Sequence, residues 1–427
     1  MAARRAWLLT RAAVVVGLAA LLAGSSVVTP DASLVRAAPP ASPPTAPQPD
    51  VAVAVRGSTA LALALYQRLG RGDENLVASP SSLATVLAMA LPGARGRTAE
   101  EIAHVLHTTL DPGRLAAAMG TLDAAIGQRA SASNAAELDV SNAVWSQHGY
   151  TIQPAFLELL AGAFGSGVHQ ADFIADTERA RLAINALVQQ QTNGKIRDLF
   201  APGSLNEYTR LVLTNAIYLK ARWQQPFDPH DTRPAPFHTL DGGAPTVPTM
   251  HQQAITLPYA QGDGWQAVEL AYKGGALAMD VLLPAAGDFA SFQQELSPGR
   301  LAAVLGTLRP TMLGLALPTF TFDSTHQLNQ TLAALGMPTA FTDAADFSGL
   351  FTVSEPLKVQ TVIQKAHVAV DEEGTTAAAA TGMAFRATSA VLPPVQLQVD
   401  RPFVFLLRDL ASGQVLFLGR VTDPRQL

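Results

Sequence analysis

The sequence of 427 residues contains no cysteine, and charged side chains make up only 15% of it. The absence of cysteine excludes disulfides, a cysteine nucleophile and an anchor built on a lipidated cysteine. A net charge of −5 gives no basic surface, so we expect no nucleic-acid partner. Hydrophobic residues make up 48% of the chain, which is enough for a large core that packing alone must hold together.

Short catalytic motifs are also absent. The sequence holds no Gly-x-Ser-x-Gly, His-Glu-x-x-His or Gly-x-Gly-x-x-Gly, and Gly194 and Lys195 lack the rest of a phosphate-binding loop. His104 and His107 lie three residues apart in a predicted helix, but no third metal ligand is near them in sequence. We therefore expect no metal and no cofactor, although distant Ser, His and Asp residues could still assemble a triad.

An export signal is predicted at the N-terminus. Arg4, Arg5 and Arg11 carry positive charge and residues 12–24 are apolar, so we assign residues 1–37 to a signal peptide and its flanking segment. The apolar stretch is too short to span a bilayer comfortably. An ordinary signal and a twin-arginine signal both fit. Either one predicts a secreted, periplasmic or cell-surface protein whose mature form has no membrane segment.

The next boundary is set by proline. Residues 38–50 hold too many prolines for helix or sheet and predict a semi-rigid linker. We therefore expect one folded domain over residues 51–427.

Helices and strands are interleaved along that domain. Apolar residues at helical spacing predict a helix over residues 57–69, and Ser79 is a suitable N-cap for a second helix. Residues 211–220 are nearly all apolar and predict a strand covered on both faces, in which Asn215 needs buried polar partners. Because no strand–helix–strand unit repeats, the predicted fold class is α+β.

A run of small residues lies near the C-terminus, and its local structure is ambiguous. Residues 374–385 suit a strand in the middle of a sheet, but four alanines also suit a helix or a linker. On a strand, Thr375 and every second residue after it share a face that could be buried. The run consists of Glu372, Glu373, Gly374, Thr375, Thr376, Ala377, Ala378, Ala379, Ala380 and Thr381.

Several motifs, taken in order, resemble those of the serpin family, and of a secreted bacterial-type member in particular. The resemblance implies a single domain with three β-sheets, about nine helices and an exposed reactive-centre loop. It runs from about residue 57 to Pro424 and is carried by residues 75–83, 92–94, 192–199, 213–227, 317–320, 335–337, 345–349, 365–381 and 400–403.

The resemblance implies a protease inhibitor, not an enzyme. A serine or cysteine endopeptidase attacks the loop as a substrate and forms an acyl-enzyme. The cut loop then inserts as a new strand into the large sheet and carries the protease away. The small residues after Gly374 suit rapid insertion and favour an inhibitory, monomeric member. The alternative is a non-inhibitory serpin that acts as a binding protein or chaperone. No cluster of basic residues indicates a polyanion cofactor.

Three bonds in the loop are candidates for cleavage. Counting from Glu372 by the family's usual spacing selects the first bond below and implies an elastase-like or subtilisin-like target. The arginine of the second bond implies a trypsin-like target, and the neighbouring Phe385 would instead attract a chymotrypsin-like one. The third bond follows from counting back from the two prolines that end the loop. In order of preference, the bonds are Thr388–Ser389, Arg386–Ala387 and Ala390–Val391.

The resemblance also names residues of the region that opens to admit the strand. In the family, two serines, an asparagine and a histidine are linked there by hydrogen bonds. Ser79, Ser82 and Asn215 match that set, Trp223 belongs to the same region, and Gln364 stands at the position of the histidine. Because glutamine does not titrate near neutral pH, we expect no acid-triggered opening between about pH 5 and 7.

Overall fold

The computed structural model describes residues 32–38, 40, 45–132, 136–352, 357–375 and 394–426. Within these ranges, no helix is long and apolar enough to cross a bilayer. Nine helices form there, as expected: α1 (Gln48–Leu69), α2 (Pro80–Ala90), α3 (Gly96–Val105), α4 (Pro112–Ala132), α5 (Pro154–Phe164), α6 (Thr177–Gln191), α7 (Phe289–Glu295), α8 (Pro298–Thr307) and α9 (Asn329–Leu335).

The strands of the described residues form two sheets. The strands are β1 (Ser33–Val35), β2 (Leu76–Ala78), β3 (Ala136–Gln147), β4 (Val168–Ala171), β5 (Leu211–Arg222), β6 (Arg233–Pro236), β7 (Thr246–Gly262), β8 (Trp265–Ala271), β9 (Leu277–Pro284), β10 (Arg309–Pro318), β11 (Phe320–Gln327), β12 (Val359–Val370), β13 (Gly374–Thr375), β14 (Val395–Gln398), β15 (Phe403–Asp409) and β16 (Val415–Val421).

The first sheet, called the large sheet below, has seven strands in the order β1-β4-β3-β5-β13-β12-β11. Its central strand, β5, is the nearly continuous apolar segment of the sequence, and all but its last few residues are buried. Such a strand is stable only when both faces are covered. Here α6 packs on the outer face, while the main core and α2 lie against the inner face.

The second sheet has nine strands in the described residues, with β14-β10-β7-β8-β9-β15-β16-β2 in order and β6 beside β7. Three sheets were expected in all, and the second and third are continuous here. The reason is β7, whose 17 residues pair with β6 and β10 along one part and with β8 near the end. One strand therefore belongs to both of the expected smaller sheets.

Helix α2 lies at the centre of the molecule. All eleven of its residues are buried. Ser79 caps it as predicted, because its side chain accepts a hydrogen bond from the backbone N–H of Ser82. Its N-terminus therefore sits at a fixed place beneath the large sheet.

The N-terminal boundary differs from the predicted linker. Helix α1 begins at Gln48, well before residue 57 and within the span assigned to the linker. Pro49 is compatible with this start, because proline is tolerated in the first turn of a helix. Asp50 is buried and pairs with Arg114 at 2.7 Å. The end of the proline-rich segment is therefore part of the folded domain.

A second difference lies in the span assigned to the signal peptide and its flanking segment. Residues Ser33–Val35 form β1, which pairs antiparallel with β4 at the edge of the large sheet. The sequence pattern did not predict this strand, since three residues are too few for an alternating pattern to be seen. Residues 1–31 lie outside the described part, so the predicted signal peptide stays a prediction.

Candidate strand-insertion site

The start of the small-residue run is a strand of the large sheet. In β13, Gly374 lies opposite Arg222, and Thr375 lies opposite Ala221 on β5 and Val370 on β12. A Cβ atom on Gly374 would come within 2.0 Å of the Ala221 carbonyl oxygen, so only glycine fits there. The sequence left a strand, a helix and a linker open for the run, and Gly374 and Thr375 form a strand.

A tight turn brings the chain back from β12 into β13. The Asp371 carboxylate accepts hydrogen bonds from the backbone N–H groups of Glu373, at 3.0 Å, and Gly374, at 3.1 Å. The Glu372 carboxylate accepts a hydrogen bond from the Thr232 hydroxyl at 2.6 Å. These bonds fix the turn, and β13 therefore runs antiparallel to both of its neighbours.

Trp223 and Tyr272 hold the buried end of the turn. The Trp223 indole donates to the Asp371 carbonyl at 2.9 Å and stacks on the Tyr272 ring at a centroid distance of 4.7 Å. The Tyr272 and Thr375 hydroxyls are 2.6 Å apart, and Thr375 is only 1% exposed. Burial raises the pKa of Tyr272, so its hydroxyl stays protonated. The face of the run that alternation predicted to be buried is therefore buried at Thr375.

Beyond β13, strands β5 and β12 pair directly with each other. They are parallel and in register from Thr361 opposite Val212 to His367 opposite Tyr218. We call this pairing the seam. The registers of β13 with β5 and with β12 have the same offset as the seam itself. A strand that continued β13 would thus separate β5 from β12 sideways, without sliding either strand along the other.

A buried polar network closes the middle of the seam. Gln364 donates from Nε2 to Asn215 Oδ1 at 2.5 Å, and Asn215 in turn donates to the Asn142 side chain on β3. Gln364 also binds the backbone of Ser79, accepting from N–H at 2.9 Å and donating to C=O at 2.8 Å. Gln364 and Asn215 are fully buried. The network links three strands of the large sheet to the N-terminus of α2.

The structure brings together most residues that the resemblance named. Gln364 bonds to both Ser79 and Asn215, while Ser82 contributes its backbone N–H to the Ser79 side chain. Trp223 lies at the other end of the seam, beside β13. Asn142 and Tyr272 were not among the residues predicted from the sequence. Their only signal was a polar residue inside a strand pattern and an aromatic residue directly after one.

A histidine lies next to the network. His326 on β11 is opposite Gln364 in the ladder, and its Nε2 is 3.0 Å from the Val77 carbonyl oxygen. Burial lowers the pKa of His326, so the ring stays neutral to a lower pH than an exposed histidine. Neither His326 nor Gln364 therefore changes its charge near pH 7.

The outer side of the seam is crossed by the segment that follows α6. Asn193 binds the carboxylates of Glu137 and Asp139 on β3, at 2.7 and 2.9 Å. Farther across, Lys365 on β12 donates to the Arg197 carbonyl at 3.0 Å. The segment is thus bonded to β3 on one side of β5 and to β12 on the other, and it spans the outer side of the seam.

The candidate cleavage bonds lie outside the described residues, as do residues 376–393 in general. What the structure shows is where the two ends of that segment are fixed. The first end is β13 in the large sheet, and the second is β14, which pairs parallel with β10 in the second sheet. Among described residues, no group of three or more His, Cys, Asp or Glu side chains could hold a metal.

Comparisons with known proteins agree with this geometry. A family model described as "Serpin (serine protease inhibitor)" matches residues 56–424. An uncharacterized serpin-like protein of Thermococcus kodakarensis is 36% identical, over 84% of this chain and 83% of its own length. The leukocyte elastase inhibitor of Bos taurus is 34% identical, over 82% of this chain and 93% of its own.

A solved structure shows the same fold. The thermophilic serpin tengpin, in the native state, superposes with a TM-score of 0.82 at 22% identity, covering 92% of this chain and 99% of its own. These relatives come from different kinds of organism, so the likeness does not single out a bacterial type. From its family match, its relatives and its fold, the chain belongs to the serpin family, whose members are named as protease inhibitors.

Proposed function

We propose that this serpin inhibits serine endopeptidases as a suicide substrate. The serine hydroxyl of the protease attacks the carbonyl carbon of a loop residue, the peptide bond breaks, and the downstream part of the loop leaves as a free amine. The upstream part stays on the protease as an ester. Insertion of that part between β5 and β12 moves the ester away before water can hydrolyse it.

The observation that carries the proposal is β13. At the loop's upstream end, Thr375 already pairs with both border strands of the seam and Gly374 pairs with β5, so insertion begins from an existing strand end. The thirteen residues from Thr376 to Thr388, at about 3.3 Å each, would move the attached protease by roughly 40 Å. Insertion replaces the single ladder between β5 and β12 with two ladders, one on each side of the new strand, and this net gain supplies the driving force.

For the cleaved bond, we propose Thr388–Ser389 and a target with a small specificity pocket, such as an elastase-like or subtilisin-like protease. The printed name of the Bos taurus relative, an inhibitor of leukocyte elastase, supports this class. Arg386–Ala387 with a trypsin-like target is the second choice. We further propose that the mature protein is a secreted monomer, as the apolar and arginine-bearing N-terminus suggests.

The test is incubation with elastase, subtilisin, trypsin and chymotrypsin, followed by SDS gels and sequencing of the released C-terminal peptide. We expect an SDS-stable complex with elastase or subtilisin and a peptide that starts at Ser389. A peptide starting at Ala387 would support the second choice. Cleavage without any complex, together with a cut form no more heat-resistant than the intact one, would identify a non-inhibitory member instead.

A pair of variants sharpens the assignment of the bond. In Thr388→Arg, we expect inhibition to move from elastase to trypsin, because an arginine at the cleaved position suits a trypsin-like pocket. Ala390→Arg is the matched control and should leave elastase as the target. If Ala390→Arg shifts the target and Thr388→Arg does not, the cut lies at the third candidate bond.

A further inference from the structure

The segment that follows α6 and crosses the outer side of the seam begins with an Asn–Gly pair. Asn193 and Gly194 come directly after Thr192, the C-cap of α6. Both have a positive φ, of 49° and 75°, which asparagine and glycine adopt more readily than other residues. The backbone of the turn therefore explains these two residue types, but it does not explain where the asparagine side chain lies.

The Asn193 side chain connects this turn to β3. Its Nδ2 donates to Glu137 Oε1 at 2.7 Å and to Asp139 Oδ2 at 2.9 Å. The two carboxylates lie two residues apart and share one face of the strand. Burial and the Glu137 charge raise the pKa of Asp139, and the Asn193 hydrogen bond opposes that shift. The connection therefore depends on a neutral donor that serves two acceptors.

An Asn–Gly pair is also the sequence in which a side-chain amide is most easily lost, because glycine has no Cβ to hinder its own backbone nitrogen. The Gly194 nitrogen attacks the side-chain carbonyl carbon of Asn193. A C–N bond forms, the bond to Nδ2 breaks, and ammonia leaves with the proton of the Gly194 N–H. Water then opens the imide ring and leaves aspartate or isoaspartate. Asn193 is exposed, so water, the only other reactant, can reach it.

A hydrogen bond at the end of α6 controls this reaction. The Gly194 N–H donates to the Gln189 carbonyl oxygen at 2.7 Å, while the Asn193 amide is held by the two carboxylates of β3. As long as both contacts are made, the nitrogen and the side-chain carbon cannot react. The reaction therefore requires the last turn of α6 to open, and helix ends are among the parts of a fold that open most easily.

We propose that Asn193 is a deamidation site, and that its product releases the segment following α6 from β3. The reaction replaces the donor that bridges Glu137 and Asp139 with a third carboxylate, and like charges at this separation repel. The segment keeps its bond to Lys365 on β12 but loses its bonds to β3. A transient opening of the helix end is thereby made permanent, because the group that would close it again is gone.

The first test follows the reaction itself. The full chain and a synthetic peptide of residues 189–198 are incubated at mildly alkaline pH, and fragments containing position 193 are assayed for the mass gain of deamidation and for isoaspartate. We expect conversion in the protein to be about ten-fold slower than in the peptide, because the bond to Gln189 must open first. Asn206 is the internal control, since it is exposed but followed by Glu207, and it should stay unconverted.

Two outcomes of this test would contradict the proposal. No conversion at Asn193 after about ten half-lives of the peptide reaction would overturn the site. Conversion as fast as in the peptide would refute control by the bond to Gln189.

The second test measures the consequence with a variant that carries the charge of the product from the start. In Asn193→Asp, we expect the backbone amides of residues 192–197 to exchange hydrogen about five-fold faster than in the unaltered protein. Asn206→Asp is the matched control. It adds the same charge at an exposed asparagine whose side-chain oxygen accepts from the Tyr208 N–H, a bond that aspartate keeps. Equal exchange in Asn193→Asp and the unaltered protein would overturn the release.

If the proposed function holds, the same variant should also admit a strand into the seam more easily. A synthetic peptide of residues 376–386 is added to the intact protein, and the rate of its uptake into the large sheet is measured. We expect uptake to be about three- to five-fold faster in Asn193→Asp and unchanged in Asn206→Asp. Failure of the unaltered protein to take up peptide would count against the proposed function alone, since the mass and hydrogen-exchange tests do not depend on it.

Discussion

The end of the seam next to β13, called the upper end below, and the middle of the seam are closed in different ways. At the upper end, β13 already lies between β5 and β12, and Trp223, Tyr272 and Thr375 hold it there. In the middle, no strand separates β5 from β12, and the amides of Asn215 and Gln364 close the gap. If the proposed function holds, opening starts at β13, and we expect the barrier to insertion to be the breaking of the polar network in the middle of the seam.

The largest expected effect comes from displacing β13 from its place between β5 and β12. Thr375→Glu places a carboxylate in the buried site beside Tyr272, at a cost of about 3–5 kcal/mol if it stays there. We expect β13 to leave the sheet and the protein to become a substrate that is cut without trapping the protease. The measurement is the fraction of protease in SDS-stable complex. Thr376→Glu is the control, because it makes the same change at the next residue, which alternation would place on the opposite face of a strand, and it should retain most of the complex.

The next largest effect comes from breaking the polar network in the middle of the seam. Gln364→Leu leaves Asn215 Oδ1 and the Ser79 backbone N–H without partners, and should destabilise the intact form by about 2–3 kcal/mol while speeding spontaneous insertion. Denaturant unfolding and the rate of peptide uptake measure the two changes. A slower uptake would show that the polar network is not the barrier.

The same position tests the pH response of the seam. The unaltered protein should show no step in peptide uptake between about pH 5 and 7, because Gln364, at the centre of the polar network, does not titrate. Gln364→His should introduce a step in that range. A step in the unaltered protein would assign proton sensing to another group and contradict the expectation from the sequence.

An acid response of the whole fold is expected elsewhere, at the edge of the sheet. Burial lowers the pKa of His169 on β4, which stacks on Trp145, to about 4. Between these pH values the unfolded chain binds a proton at His169 and the folded protein does not. The free energy of unfolding therefore falls by up to about 2–3 kcal/mol as the pH decreases from 6.5 towards 4. In His169→Phe, the slope of stability against pH should flatten, while peptide uptake at the seam is unchanged.

The smallest effect concerns the segment that follows α6 and crosses the outer side of the seam. Lys365→Met removes the hydrogen bond to Arg197 and should speed peptide uptake about two-fold, as a partly exposed bond contributes less than about 1 kcal/mol. Lys195→Met is the matched control. Lys195 lies over the Tyr218 ring of β5 and does not reach β12, so its loss should leave the rate unchanged.

Local pattern and family resemblance predicted different parts of this site. Alternation alone placed Thr375 on a face that could be buried, and the resemblance brought Ser79, Asn215 and Gln364 to one region. Tyr272 and Asn142 could not be predicted, because their roles depend on which strands become neighbours across large sequence distances. A pattern within one strand carries no information on the strand beside it.

The fold was predictable in class and less so at its boundaries. The apolar segment that became β5 and the cap at Ser79 followed directly from residue types. The start of α1 at Gln48 did not, since prolines that usually end a helix are also accepted in its first turn. The joining of two expected sheets through β7 depends on pairing partners, which the spacing of residues within β7 does not reveal.

The two anchors of the loop decide what can follow a cut. The upstream half is continuous with β13 in the large sheet, whereas the downstream half is held by β14 on β10 of the second sheet. Under the proposed function, the two ends created by the cut belong to different sheets once the upstream half has moved into the seam, and they cannot meet again. Resynthesis of the bond is then blocked, and we expect each molecule to be used only once.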